Sequence, residues 1–318
     1  MSSSEDVDIG PTDADRRPAP SFGPGRGKTA IVTGGTSGIG REVTLALCGL
    51  GWRVLTLGRD RARSQQTVQD AGPTCEAGTL DMSRLADVRE FGSRRRDQGA
   101  PLDLLVCNAG IMAPPNRQDG AEGLELQLTV NHLAHYVLAT RLIPVLRAAA
   151  TPRIVWVTSV RHRQAPYDEP EPWDPRPYDG RASYATSKAW NLAFALWLDN
   201  RLKRDQSGLR SVAAHPGWSH TALQRTGPLF DTGSARGRRQ AWLTARLGQS
   251  AAKGAIPIID AALQPLDDYP THLGPSGLFE LWGKGSTLAL TSAMVADEEY
   301  QGWVAAKSAE LTRTQLPT

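Results

Sequence analysis

From Lys28 the chain alternates short apolar runs with longer amphipathic stretches. Lys28 to Thr33 (KTAIVT) is an apolar run that ends in glycines, and Ile39 to Leu50 follows with apolar residues at helical spacing. The unit then recurs. Arg53 to Gly58 (RVLTLG) precedes a polar helix candidate, Cys75 to Asp81 precedes Ser83 to Arg96, and Asp103 to Gly110 (DLLVCNAG) precedes Gly123 to Ala149. Arg153 to Ser159 (RIVWVTS) precedes Tyr184 to Lys203, and Leu209 to Gly217 (LRSVAAHPG) closes the series. Strands alternating with helices of this length predict an α/β fold, a doubly wound parallel sheet with helices on both faces. Beyond Gly217 the pattern predicts a helix over Arg236 to Leu263, a last strand over Gly277 to Gly283 (GLFELWG) and a final helix over Asp297 to Leu311.

Composition narrows the class. The chain has 318 residues, 40% of them hydrophobic and 22% charged, with a net charge of +3. No apolar run reaches the roughly 18 residues of a membrane-spanning helix, so no membrane span is expected. The charge is too small and too scattered for a nucleic-acid partner; Arg236 to Arg246 reads as a solvated helix face. Cys48, Cys75 and Cys107 lie at unrelated spacings inside apolar segments, which suits buried thiols in a reducing cytoplasm. Residues 1–27 carry four Pro, four Gly and five acidic residues, a disordered tail by composition. Residues 28–318 are then expected to form a single domain.

In open parallel sheets ligands bind beyond the carboxyl ends of the strands, so chemistry is sought just after each apolar run. Thr33-Gly34-Gly35-Thr36-Ser37-Gly38-Ile39-Gly40 stands between the first strand and the first helix. There Gly34 would permit the tight turn, Gly38 the approach of a pyrophosphate to backbone N–H groups, and Gly40 close helix–strand packing. The second strand ends in Gly58-Arg59-Asp60, where an arginine in place of an acidic residue favours a 2′-phosphate over a ribose hydroxyl, and so NADPH over NADH. Ser159 closes the fifth apolar run, while Tyr184 and Lys188, four residues apart, share a helix face. An ammonium near a phenol favours the phenolate and prepares the pair for proton transfer.

Together TGxxxGxG, Asn108-Ala109-Gly110, Asn131, Ser159, YxxxK and Pro216-Gly217 stand in the order and spacing of the short-chain dehydrogenase/reductase family, which the chain resembles from about Lys28 to Thr221. Val130 to His135 (VNHLAH) and the long segment between Ser159 and Tyr184 are similar to its retinol-dehydrogenase-like and protochlorophyllide-reductase-like branches. The resemblance implies a Rossmann-type fold and an NAD(P)-dependent oxidoreductase. Tyr184 would be the general acid, Ser159 would hydrogen-bond the same carbonyl oxygen, and Lys188 would bind nicotinamide ribose and lower the Tyr184 pKa. Asn131 would hold a water linking Lys188 to solvent. Gly34, Thr36, Ser37, Gly38, Ile39, Gly40 and Arg59 would cradle the phosphates, with Asp81 at the adenine edge. Asn108, Ala109 and Gly110 would line the adenine-ribose side, and Pro216, Gly217 and Thr221 would close on the nicotinamide.

His132 and His135 lack a third residue at ligand spacing, so no metal is expected and both read as packing or polar contacts. His215 reads as a support near the site. Residues 160–183 contain five prolines and no helical period, a loop expected to cross the active-site mouth with Tyr167, Trp173 and Tyr178 as aromatic walls or as its own packing. Residues 220–260 are where this family places a substrate lid, with glycines suited to hinges. Seven of nine tryptophans fall at or after position 173; Trp218 is expected to line the pocket and Trp156 to be core. Ala189, Leu192, Ala193 and Leu196 suit either a helix-paired interface or burial in one chain, and a monomer or homodimer is expected. The substrate would be a bulky, largely apolar carbonyl or alcohol. Two alternatives stand beside it: reduction of a carbon–carbon double bond, and an NADP-binding sensor or scaffold without turnover.

Overall fold

In a computed structural model of the chain, the structure describes residues 25, 27–166, 177–219, 248–265 and 271–317. The strands are β1 (Thr29–Thr33), β2 (Arg53–Gly58), β3 (Cys75–Thr79), β4 (Leu104–Cys107), β5 (Arg153–Val157), β6 (Arg210–Ala214), β7 (His272–Pro275) and β8 (Ser286–Leu288). They form one sheet in the order β3-β2-β1-β4-β5-β6-β7-β8, parallel except for β8, which runs antiparallel to β7. The direction of winding reverses between β1 and β4, and the crevice at their carboxyl ends is where such sheets bind ligands.

Each strand alternates between two cores, which is why its sequence reads as continuously apolar. Ile31, Leu105, Cys107, Ile154, Trp156 and Ala213 face one hydrophobic cluster; Ala30, Val32, Leu104, Val106, Val155, Val157, Val212 and Ala214 face the other. Helices α3 (Leu85–Asp97), α5 (Ala134–Arg147), α6 (Gly180–Arg204) and α9 (Glu298–Thr312) cover the first face, while α1 (Gly38–Gly49) and α7 (Ala251–Leu263) cover the second. The remaining helices are α2 (Arg61–Ala71), α4 (Leu126–Leu128) and α8 (Ala293–Ala296). Between α4 and α5 the chain makes a wider turn over Thr129–Leu133, with i to i+5 hydrogen bonding.

Helix starts follow local chemistry. Asp60 caps α2 by accepting from Ala62 N at 3.0 Å and Arg63 N at 3.1 Å, and Asp179 caps α6 by accepting from Arg181 N at 2.8 Å. Asp297 does the same for α9. At α1, by contrast, the capping residue Ser37 makes no side-chain hydrogen bond and no acidic residue stands in the first turn.

The predicted strand over Gly277–Gly283 is not one. Its place in the sheet is taken by His272–Pro275, which pairs with β6, and the glycine-bounded segment folds on itself through a Gly277 N to Trp282 O hydrogen bond of 2.8 Å. Sequence reading also missed β8 and placed the start of α6 four residues late, at Tyr184 rather than Gly180. Of the helix expected over Arg236 to Leu263, Ala251–Leu263 is described and residues 236–247 lie outside the described residues. The tail expected over 1–27 is likewise outside them except at Gly25 and Gly27, and Gly25 N donates to Leu50 O at 2.8 Å, so order begins before Lys28.

His132 and His135 are fully buried on this frame, and burial holds their pKa values down at about 4 and about 3. Their ordinary value is about 6.5, so below that pH the unfolded chain takes up protons that the folded chain refuses. Stability is therefore whole above about pH 6.5 and falls as the pH drops toward 4, by up to about 1.4 kcal/mol per pH unit for each histidine. The urea midpoint is expected to decline from pH 7 to pH 5; a flat profile refutes neutral burial.

Candidate active site

A cleft of about 770 Å³ opens at the carboxyl ends of the strands, where β1 and β4 diverge. Its floor is the glycine turn. Gly34 and Gly38 adopt positive φ angles of 62° and 52°, which L side chains rarely do. A Cβ on Gly40 would lie 2.3 Å from Asn108 Nδ2 and 2.4 Å from Gly34 O, so α1 reaches this close to the turn only because position 40 is glycine. The uncapped start of α1 thus points Ser37, Gly38 and Ile39 into the cleft, leaving N–H groups and a helix dipole for an anion. These residues fit a dinucleotide pyrophosphate.

Thr33 and Asn108 hold that turn. Asn108 Nδ2 donates to Thr33 O at 2.8 Å, and the Asn108 and Ala109 amides donate to Thr33 Oγ1 at 2.9 Å and 3.0 Å. The Asn108 side chain is therefore a tie between strands β1 and β4, while Ala109 and Gly110 lie beside it in the cleft wall. Thr36 fills the space a side chain at Gly58 would need, at 2.8 Å from its Cβ position.

Arg59 projects at the cleft's far end, its guanidinium 3.8 Å from Asp81 and two-thirds exposed, so it is free to swing toward a phosphate. Asp81 itself accepts from Ser83 N and Ser83 Oγ at 3.0 Å and 2.8 Å. Arg63, which the sequence had placed in a solvated arginine run, also lines the cleft. Its signal was its position one helical turn after the strand tip.

At the other end stand Ser159, Tyr184 and Lys188, all buried. Ser159 follows β5 and starts a short 3-10 turn over Val160–Gln164, accepting from Arg161 N at 3.2 Å. The Lys188 ammonium donates to Val157 O at 2.9 Å and lies 5.9 Å from the Tyr184 ring centre. Desolvation lowers the Lys188 pKa to about 8, against the opposing pull of Cys107. Burial raises the Tyr184 pKa, and what offsets it is the Ser159 hydrogen bond and the charge of Arg161. Lowering of the tyrosine pKa by Lys188, implied by the resemblance, is thus not what this geometry gives: the ammonium is turned onto a carbonyl.

Asn131 lies in the wide turn Thr129–Leu133 and is completely buried. Its Oδ1 accepts from Ile111 N at 2.8 Å, and its Nδ2 donates to Ile111 O at 3.0 Å and Ser187 Oγ at 2.9 Å. The carboxamide expected to hold a water is committed at both ends, so Asn131 clamps the cleft wall to α6. Its carbonyl takes the His135 Nδ1–H at 2.9 Å, and His135 Nε2 meets Thr33 Oγ1 at 2.8 Å. Sequence reasoning missed this Thr33–His135–Asn131 chain, which joins the glycine turn to the catalytic helix pair. Among the described residues no cluster suits a metal ion, and no helix is long and apolar enough to cross a membrane.

Pro216, Gly217 and Trp218 line the mouth, as expected, with Trp218 5.9 Å from Trp282. Trp156 is core, donating to Ser211 Oγ at 3.1 Å. Tyr178 is not a cleft wall: its hydroxyl donates to Glu125 at 2.9 Å and accepts from Gln127 at 2.8 Å, bracing the start of α6. Thr221, Tyr167 and Trp173 lie outside the described residues, as does most of the expected lid. Phe279 and Leu281, which no motif marked, complete the rim.

Residues 28–228 match the family model described as short chain dehydrogenase. A protein from Streptomyces lividans described as a "probable oxidoreductase" is 40% identical over 204 residues, 63% of this chain and 67% of that protein. Human retinol dehydrogenase 13 is 34% identical over 205 residues, 63% of this chain and 61% of that protein. Among solved structures, an uncharacterised protein from Mycobacterium paratuberculosis superposes with a TM-score of 0.76 at 30% identity, covering 94% of this chain and 98% of that one.

Proposed function

Because the chain belongs to the short-chain dehydrogenase family and is an NAD(P)-dependent oxidoreductase, we propose that it interconverts a carbonyl and an alcohol on a bulky, largely apolar small molecule, with NADPH as the preferred reductant. The observation that carries this reading is the placement of the Tyr184 phenol beside the Ser159 hydroxyl, at the end of a cleft whose other end holds the glycine turn and Arg59. NADPH, when bound, supplies the hydride. The uncapped start of α1 with Ser37, Gly38 and Ile39 would hold its pyrophosphate, and Arg59 its 2′-phosphate. Ser159 and Tyr184 would both donate to the substrate oxygen, orienting the carbonyl and stabilising the charge that gathers there. Tyr184 then passes its proton to that oxygen, and Lys188, already close to neutrality by burial, favours the phenolate left behind once it turns from Val157 O.

The proposal extends to the chain's surroundings. Ala189, Leu192 and Ala193 are spent inside one chain, which supports a monomer, or a homodimer paired elsewhere. Three free, buried cysteines support a cytoplasmic setting.

The test follows absorbance of NADPH and NADH across aldehydes, ketones and enones. Turnover of carbonyls with NADPH is the expected result; turnover of enones alone refutes carbonyl reduction. Arg59→Ala isolates the cofactor preference. Losing one charge-assisted contact to a phosphate costs about 1.5–3 kcal/mol, so the NADPH to NADH ratio of kcat/KM is expected to fall about 10- to 100-fold. An unchanged ratio assigns the preference to another residue, with Arg63 the next to test.

A further inference from the structure

Four large hydrophobic side chains stand out in solvent among the described residues, Leu278, Phe279, Leu288 and Leu290, all in one stretch of the chain. Only Phe279 of these lines the cleft. It is 74% exposed, so fold stability gives no reason for an aromatic there. It and Glu280 are also successive non-glycine residues with positive φ, 52° and 57°. Left-handed backbone at non-glycine residues persists only where surroundings enforce it, and such sites cluster where ligands bind.

The enforcing contacts belong to Glu280. Its carboxylate is almost buried and accepts from Arg163 Nη2, from His215 Nε2 at 3.0 Å and from Leu290 N at 2.9 Å. Gly217 N donates to His215 Nδ1 at 3.2 Å, so the proton of that ring sits on Nε2 and points at Glu280. Arg163 belongs to the turn that Ser159 begins, and His215 precedes Pro216-Gly217. Trp218 N donates to Leu281 O at 2.9 Å, and a Cβ on Gly217 would strike that same oxygen at 2.6 Å. The loop is therefore fastened to both segments that flank the reacting end of the cleft.

We propose that Phe279 is the specificity-determining residue for the bulky apolar part of the substrate, and that Glu280 is a positioning residue which holds Phe279 over the cleft mouth through Arg163 and His215. This deepens the carbonyl-reductase reading and rests on it for the identity of the reacting group. An aromatic wall suits a flat or branched hydrocarbon body presented beyond the carbonyl; a small ketone does not reach it.

The test compares 2-acetylnaphthalene with acetone as NADPH-dependent substrates, reading the ratio of their kcat/KM values. In Phe279→Ala, whose side chain is exposed and whose loss leaves the core intact, the ratio is expected to fall about tenfold, in line with the loss of one apolar contact surface. Leu288→Ala, exposed but away from the cleft, is the control and keeps the ratio of the parent. Glu280→Gln is expected to lower the ratio in the same direction, and Phe279→Ala/Glu280→Gln to lower it no further than Phe279→Ala alone. A structural loss at Glu280 would instead reduce both substrates together and add to the Phe279 effect, and that result overturns the positioning role. A parallel arm titrates 2-acetylnaphthalene into the NADP⁺ complex by quenching of tryptophan fluorescence, where no hydride moves. Tenfold weaker binding in Phe279→Ala supports the proposal even if the parent turns over neither ketone, an outcome that fails the reductase reading alone. Equal binding in parent and variant, or no binding to the parent, overturns it.

Discussion

Tyr184→Phe is expected to lower kcat/KM for carbonyl reduction by about 10³-fold or more, the scale of a lost general acid. The substitution keeps the ring in its buried seat on α6 and removes the one O–H that the geometry aims, beside Ser159, at the reacting end of the cleft. NADPH affinity, measured by fluorescence, and the melting temperature should stay at the parent values, because the phenol touches neither the glycine turn nor the core through its oxygen. Residual activity above a tenth of the parent would move the proton to another donor. Turnover absent in both proteins, with NADPH tightly bound, would instead favour a sensor or scaffold.

Gly40→Ala should abolish cofactor binding, raising the NADPH Kd by about 100-fold or more as the anion site is pushed apart. The added methyl would meet Gly34 O, a backbone atom of the turn itself, and Asn108 Nδ2, the tie to β4. Neither moves without opening the site, and overpacking of this kind costs about 1–3 kcal/mol. Helix propensity alone predicts the opposite sign, a gain of about 1 kcal/mol for alanine over glycine. Gly49→Ala, in the same helix with open space around it, supplies the comparison: it should be neutral or stabilising. A more stable Gly40→Ala protein that still binds NADPH would refute the close-approach argument.

The central sheet was legible because each of β1, β4, β5 and β6 feeds two cores at once, and a run that is apolar at every position can only be a strand covered on both faces. The glycine turn, Ser159 and the Tyr184–Lys188 pair were legible because each sits at a fixed offset from such a run. Contacts between distant segments were not. Glu280 meets Arg163 across 117 residues and His215 across 65, and no local period reports either meeting. The Gly277–Gly283 misreading has the same origin: its alternating apolar residues mimic a strand, but the edge of the sheet was already taken by β7 and then closed by β8. Asn131 was found by its motif, yet its partners Ile111 and Ser187 were not, since a side chain's identity leaves open which backbone it will clamp.

The wide turn over Thr129–Leu133 makes the angular phase of a long helix a local property. One residue more than an α-helical course requires is accommodated there, and each residue advances an α-helix by about 100°. Removing a single residue from this turn would rotate everything beyond it by that angle, turning Tyr136 away from Thr314 O and His135 away from Thr33 together. Length changes before Glu125, on the cleft's outer approach, would be absorbed without altering that phase. The molecule thereby tolerates indels on one side of Asn131 and forbids them on the other, a boundary that a deletion scan across residues 115–140 should trace as an abrupt step.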